Sequence, residues 1–280
     1  LLAISAPGAA ATAELTLVRD GVPCSVIVIG TQPTKAAQFA ACKLQHVARL
    51  ITGATIPIAD VASESQGVQI FVGASQPASA LGMPDRRFTG EEYLATFRGN
   101  RIFLMGNDSP DYDKVDYRDP KTFPPRLYTY KSTTYAVYDF LEKCCGVRFY
   151  SFGDVGIAYR KRPTLCVSAV DIRRSPAMDA FRRPYFGGKT RHLSQRDDDL
   201  LQLRWRANAL FGETNHSIYS IFYRHWGKAL SPNLARLFIE KRPEYFAKGY
   251  EGAAAPSALK GQYPNDPDLP PQLCTSNGGP

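Results

Sequence analysis

The sequence predicts an α+β fold, a two-layer mixed sheet with two helices, followed by a second domain. Two segments repeat apolar residues with the 3.6-residue period of an amphipathic helix, and several short runs are rich in residues that favour strands. From Met178 onward the composition shifts toward Arg, Trp, Tyr and His. With 280 residues, 44% of them hydrophobic, the chain is long enough to bury a substantial core.

The first part of the chain predicts a hairpin followed by a helix. Residues 15–18 open a strand, the Asp-Gly pair at 20–21 supplies a turn, and residues 25–29 continue as a nearly all-apolar buried strand. Over residues 34–51 the apolar positions follow the helical period for four turns, and Gly53 is placed to end the helix. We expect this helix to pack one face on a sheet.

The middle of the chain predicts further strands and one long loop. Residues 68–72 read VQIFV, a second fully buried strand that a β-α-β crossover can join to the first. Gly99-Asn100 lies between two alternating runs and predicts a hairpin turn, so we expect an antiparallel sheet with one parallel pair. Residues 107–126 form a polar loop that either lines a site or is a surface excursion, and its acidic residues lack the EF-hand pattern.

A helix and two extended segments are predicted between residues 132 and 177. The apolar stripe of the helix is Val137, Phe140, Leu141 and Cys144, and its polar side carries Asp139, Glu142 and Lys143. Gly146 is expected to end this helix as a left-handed cap. A short strand at 147–150 and an extended run at 164–172 follow.

The same segment carries a family resemblance. The stretches YAVYDFLEKCCGVRFYSFGD and KRPTLCVSAVDIRRSPA resemble the N-terminal domain of bacterial α-glucuronidases and the second domain of β-hexosaminidases. Upstream, TKAAQFAACKLQHVARLITGATIPI and RIFLMGND are similar to the first helix of that domain and to a later strand with its loop. Further on, RWRANALFGETNHSIYSIFYRHW and EKRPEYFAKGYEG resemble the opening of the catalytic barrel in large bacterial relatives of those glycosidases.

This resemblance implies a domain at residues 14–175 and an incomplete β/α (TIM-type) barrel at 176–280, since a closed barrel takes roughly 250 residues. It also implies hydrolysis of O-glycosidic bonds in a polysaccharide or a uronic-acid-bearing glycan, by two carboxylates and without a cofactor. No convincing pair of carboxylates is recognisable in the sequence. In the families that the chain resembles, the catalytic acids lie on later barrel strands, which would fall beyond Pro280.

The loop GETNHS is the best local candidate for substrate contact, because it follows a short apolar run where a first barrel strand should end. Asn215 and His216 could hydrogen-bond sugar hydroxyls. Flat aromatic faces for a pyranose ring could come from Trp205 or Tyr219, and equally from Tyr223 or Trp226. The alternative is that His216 is a capped loop residue and that the aromatic side chains belong to a core.

The net charge of +8 favours anionic partners. Arginine is concentrated at Arg173-Arg174, Arg182-Arg183, Arg191, Arg196, Arg204 and Arg206. We expect a carbohydrate partner and no nucleic acid, because these arginines are dispersed and no groove-reading motif is present. Two alternatives to the enzyme stay open: a non-catalytic glycan-binding module that supports a barrel, and an anion-binding structural protein. A simple solvated basic surface would carry the same charges.

The small apolar residues 1–13 fit the tail of a secretory signal peptide, with a buried N-terminal strand as the alternative. We therefore expect a secreted or periplasmic protein. No apolar run approaches the ~20 residues of a membrane-spanning helix, so no stable membrane insertion is expected. The six cysteines are best explained as buried free thiols. The sequence contains neither the Cys/His spacing of a zinc site nor the glycine pattern of a phosphate-binding loop. It does not indicate an oligomeric state.

Overall fold

The structure is a computed structural model and describes residues 14–60, 67–125, 129–178, 181–182 and 195–209. The chain forms two compact units, Leu1–Leu210 and Phe211–Pro280, and all described residues belong to the first. The domain bounds expected from the sequence, 14–175 and 176–280, stay predictions. The predicted leader at 1–13 and most of the predicted barrel segment lie outside the described residues, so both stay predictions.

The strands, in chain order, are β1 (Glu14–Arg19), β2 (Val22–Pro23), β3 (Ser25–Val28), β4 (Ile58–Ala59), β5 (Val68–Val72), β6 (Tyr93–Arg98), β7 (Arg101–Gly106), β8 (Arg148–Phe149), β9 (Ile157–Ala158), β10 (Leu165–Ser168), β11 (Asp171–Arg174), β12 (Phe181–Arg182) and β13 (Asn208–Ala209). The helices are α1 (Lys35–Thr52), α2 (Gln76–Ser79), α3 (Ser132–Lys143) and α4 (Gln195–Arg204), with a 3-10 turn at Pro120–Thr122. The α+β class predicted from the sequence is confirmed.

The main sheet has six strands in the order β11-β6-β7-β5-β3-β4. Strand β3 is parallel to β4 and β5, and β5 is parallel to β7, whereas β6 is antiparallel to both of its neighbours. The prediction of a single parallel pair was therefore wrong, since the described residues form three. The physical reason is that β5 is buried along its whole length, as central parallel strands are, while within this sheet the local turn signal belongs to the β6–β7 hairpin.

The predicted hairpin near the start of the unit is only partly correct. Strand β1 turns at Asp20-Gly21 and pairs with β2, but β2 is two residues long. Cys24 then leads the chain into the main sheet, where β3 pairs with other strands. The long partner of β1 is β10, so a second sheet has the order β10-β1-β2. The nearly all-apolar β3 gains more from the buried centre of the main sheet than from a hairpin with one open face.

Helix α1 confirms the predicted helix. The hydroxyl of Thr34 accepts a hydrogen bond from the backbone N–H of Ala37 (3.1 Å) and so caps the N-terminus. Gly53, at φ 80°, ends the helix, and its N–H donates to the carbonyl of Arg49. The apolar face of the helix packs against the main sheet, together with α3.

Helix α3 forms where it was expected but differs in its exposure and its end. All residues from 132 to 141 are buried, so Asp139 does not lie on a solvated polar side. The reason is that α3 packs on β6 and β7 and is also contacted by α1 and α4. The helix ends at Lys143, and Gly146 adopts its left-handed conformation two residues after the Cys144 cap. The expected extended run at 164–172 is divided into β10 and β11, which belong to different sheets.

The core lies mainly between the main sheet and the layer of α1 and α3. A smaller apolar cluster covers the other face of the sheet, where the stacked rings of Phe71 and Phe103 lie 5.0 Å apart between centroids. Five cysteines lie in the described part, and all five are free thiols. Among the residues that the structure describes, no helix is long and apolar enough to cross a bilayer.

Candidate functional site

A groove of about 760 Å³ opens where β11 ends, beside α3 and the turn that follows α4. We call it the arginine groove. It is lined by Tyr93, Asp139, Glu142, Lys143, Arg148, Arg174, Ser175, Pro176, Ala177, Trp205 and Arg206. Four of these side chains carry positive charge at neutral pH and two carry negative charge, so the groove is cationic on balance.

The floor of the groove is organised around the carboxylate of Asp139, whose side chain is only 2% exposed. The hydroxyl of Tyr93 donates to Oδ2 at 3.0 Å, and Arg206 Nη2 donates to Oδ1 at 2.9 Å. The guanidinium of Arg174 also donates to Oδ2, and its Nε donates to the Tyr93 hydroxyl at 2.6 Å. A buried carboxylate is stable in such surroundings because every oxygen has a charged or polar partner.

Arg206 reaches this carboxylate because of the backbone turn after α4. It is a non-glycine residue at φ 54°, and its N–H donates to the carbonyl of Leu203 at 3.1 Å. The same nitrogen that contacts Asp139, Nη2, also donates to Glu142 Oε2 at 2.7 Å. Burial lowers the pKa of Arg206, but the hydrogen bond and charge of Glu142 and the charge of Asp139 raise it further, so its guanidinium stays protonated.

Arg174 and Trp205 form the open side of the groove. The side chain of Arg174 is 44% exposed, so its guanidinium keeps a solvent-facing part while it contacts Asp139. Trp205 is 38% exposed, a large apolar ring at a polar surface. An exposed guanidinium beside an exposed indole is suited to a ligand that carries both an anionic group and an apolar ring face.

Asp139 and Glu142 do not form a glycosidase acid pair. Their carboxylates share one guanidinium nitrogen of Arg206, which lies between them. Asp139 is also enclosed by three donors and is closed to substrate. A glycosidase needs one carboxyl group to protonate the leaving oxygen and the other to face the sugar, and Asp139 can do neither.

Trp205 is the one predicted contact residue that the structure describes, and it lies in the arginine groove. Asn215, His216 and Tyr219 lie outside the described residues, as do Tyr223 and Trp226, so their predicted role stays a prediction.

The arginine side chains that are concentrated between residues 173 and 206 lie in different environments. Arg174 and Arg206 meet at Asp139, whereas Arg173 turns to the other side of β11 and contacts Glu92 Oε1 at 3.0 Å. Arg204 is buried and donates to the carbonyl of Ser151. The side chains of Arg182, Arg183, Arg191 and Arg196 lie outside the described residues.

Sequence reasoning did not identify Asp139, Glu142 and Tyr93 as members of this site. A usable signal was present, since Asp139 is a carboxylate inside an otherwise apolar stretch of helix, in a chain with two arginine-rich segments downstream. A buried carboxylate requires a cationic or hydrogen-bonding partner, and arginine is the most suitable one. Among the described residues, no group of three or more His, Cys, Asp or Glu side chains is arranged to hold a metal ion.

No protein-family model matches the chain, and no curated protein matches it either. Among solved structures, the chain is similar to a GH20 exo-β-N-acetylglucosaminidase from Vibrio harveyi, crystallised with N-acetylglucosamine. The identity is 13% and the TM-score is 0.32, over 61% of this chain and 18% of the enzyme chain. The chain thus spans less than a fifth of the length of that enzyme, and a likeness of this degree assigns no function.

Proposed function

We propose that this chain is part of a carbohydrate-active protein, and that its first unit binds an acidic glycan in the arginine groove. The observation that carries the proposal is the placement of the exposed Trp205 ring and the partly exposed Arg174 guanidinium in one open groove. The carbohydrate class is supported by the resemblance of residues 132–177 to a domain of α-glucuronidases and β-hexosaminidases.

The chemistry of a uronic acid fits this groove. Its carboxylate can accept hydrogen bonds from a guanidinium, which is planar and offers parallel N–H donors. The apolar face of its pyranose ring can lie against the indole of Trp205. Asp139 and Glu142 neutralise only part of the cationic charge, so attraction for an anionic sugar remains.

The binding proposal is tested by titrating the 280-residue chain with a trimer of galacturonic acid and, in parallel, with neutral xylotriose, in a calorimeter. We expect binding of the acidic trimer and a loss of roughly tenfold or more in affinity on Arg174→Gln, because a hydrogen bond to a charged group contributes about 1.5–3 kcal/mol. Trp205→Ala should cost about tenfold as well, as a large aromatic contact does.

Two matched control variants remove the same kinds of side chain at positions that do not line the groove. Arg19→Gln deletes an exposed guanidinium and Tyr112→Ala deletes an exposed ring, both away from the groove. Both controls should bind like the wild type. Equal affinity for the acidic and neutral trimers, or unchanged binding by both groove variants, would refute the proposal.

We also propose that the protein is exported and hydrolyses O-glycosidic bonds. Its two catalytic carboxylates would then lie outside the described residues. Release of reducing ends from the acidic trimer tests this part separately, and it is followed over time with a chain that extends past residue 280, where the proposal places the catalytic acids. Binding by that longer chain without release would support a non-catalytic glycan-binding module, whereas release would identify an enzyme. A steep loss of binding for every anion with added salt would instead support the structural anion-binding alternative.

A further inference from the structure

A second pocket, of about 540 Å³, lies where α1 ends and the segment after β9 passes it. We call it the helix-end pocket, and the part that matters here is formed by Arg49, Tyr159, Lys161 and Arg162. None of these residues lines the arginine groove. The pocket is therefore a separate feature of the first unit.

The three basic side chains have no acidic partner among the residues that the structure describes. Within the described ranges, no ion pair joins Arg49, Lys161 or Arg162 to a carboxylate. This differs from the arginine groove, where two carboxylates neutralise part of the positive charge. Three uncompensated cations around one cavity produce a positive potential that is favourable for an anion.

Arg162 is fixed in place beside the pocket. Its backbone N–H donates to the carbonyl of Ile51 at 2.9 Å, and its Nη2 donates to the carbonyl of Cys145 at 3.2 Å. These two contacts hold its guanidinium, and with it a positive charge, at the wall of the pocket that Arg162 lines.

The end of α1 does not account for the cluster by itself. The C-terminus of a helix is equivalent to roughly half a negative charge, far less than the three positive charges here. Two of its last carbonyls are also paired with backbone N–H groups, because Gly53 donates to Arg49 and Arg162 donates to Ile51. The cations are therefore in excess of what capping requires.

From these observations we infer that the helix-end pocket binds an oxyanion, a carboxylate or sulfate or phosphate group, carried by a small molecule. Arg49 and Lys161 are exposed and can close on the anion, while Arg162 holds a fixed positive charge beside it. Tyr159 provides a half-buried ring against which a ring-bearing ligand can pack. The inference does not depend on the proposed function, because it concerns a different set of residues.

The test uses sodium sulfate, sodium phosphate and sodium glucuronate as probes, titrated at constant ionic strength and followed by the backbone amide signals in NMR spectra. We expect saturable shifts at Gly53 and Arg162 for at least one probe, and the preferred probe identifies the oxyanion. The variant Arg49→Gln/Lys161→Gln should bind that probe roughly tenfold more weakly, since charge-assisted hydrogen bonds are lost.

The control variant Arg87→Gln/Lys114→Gln removes one arginine and one lysine charge from two exposed positions that do not line the pocket, and it should bind like the wild type. Arg174→Gln should also bind the probe normally, which separates this pocket from the arginine groove. Absence of saturable shifts for all three probes, or equal affinity in the pocket variant and the control, would overturn the inference.

Discussion

Replacement of Asp139 by Asn tests whether the buried carboxylate organises the arginine groove. The change keeps the size of the side chain but removes the charge that faces Arg174 and Arg206 and places an amide N–H₂ among donors. Removal of one partner from a buried ion pair typically costs 3–5 kcal/mol. Because the two arginine side chains are 44% and 22% exposed, water can solvate part of their charge. We therefore expect a loss of about 2–3 kcal/mol.

The assay is hydrogen exchange of the backbone amides of α3, which reports the free energy of opening of this helix. The matched control is Asp171→Asn, an exposed carboxylate on β11, and its effect should stay within about 0.5 kcal/mol. A change in Asp139→Asn no larger than that of the control would refute the view that Asp139 organises the site.

Three further predictions concern the fold that carries the site. A hydrogen bond from Arg173 lowers the pKa of Glu92 from 4.5 to about 2; burial opposes this shift, and donors from Arg86 and Thr89 add to it. The folded state therefore favours the charged carboxylate, and the stability of the wild type should fall as the pH drops from 4.5 to 2. The free energy of unfolding should decrease by about 1–2 kcal/mol over this range, after allowance for screening by water. In an acid titration, the variant Glu92→Gln should not show this decrease. Thr34→Ala removes the cap on Ala37 N–H and should cost about 1 kcal/mol, measured by exchange in the first turn of α1. Gly73→Ala should cost about 2–4 kcal/mol in pulse proteolysis, because φ is 84° and the new Cβ would lie 2.6 Å from Ala37 Cβ.

Local signals were sufficient for the elements that depend on neighbouring residues. Helix α1 was predictable because its apolar period, its Thr34 cap and its Gly53 end agree with one another. The β6–β7 hairpin was predictable from Gly99-Asn100, which adopts the left-handed conformation at Gly99. In both cases the interactions that define the element lie within a few residues of each other.

Pairings between distant residues were not predictable in the same way. The pairing of β1 with β10 joins Glu14 to Ser168, and no local pattern in either strand identifies the other as its partner. For the same reason two of the three parallel pairs were missed, because a buried apolar strand is compatible with either neighbour.

The candidate site shows the same difference between local and long-range interactions. Trp205 and the arginines were visible as residue types suited to an acidic sugar, but the meeting of Arg174 and Arg206 at Asp139 depends on how α3 packs. The helical stripe placed Asp139 on a polar side, since periodicity describes one buried face and cannot show that a second element covers the other.

The pairing of β1 with β10 has a consequence for the order in which the unit folds. During synthesis β1 has only the two-residue strand β2 beside it until residues 165–168 have been made. Strands β3, β5 and β7 can meet earlier, because all three precede residue 107. The small sheet therefore forms late, and its formation requires closure of a loop of about 150 residues, a contact of the kind that slows folding. A nascent chain that stops before residue 165 leaves β1 as an open edge, available to pair with another chain.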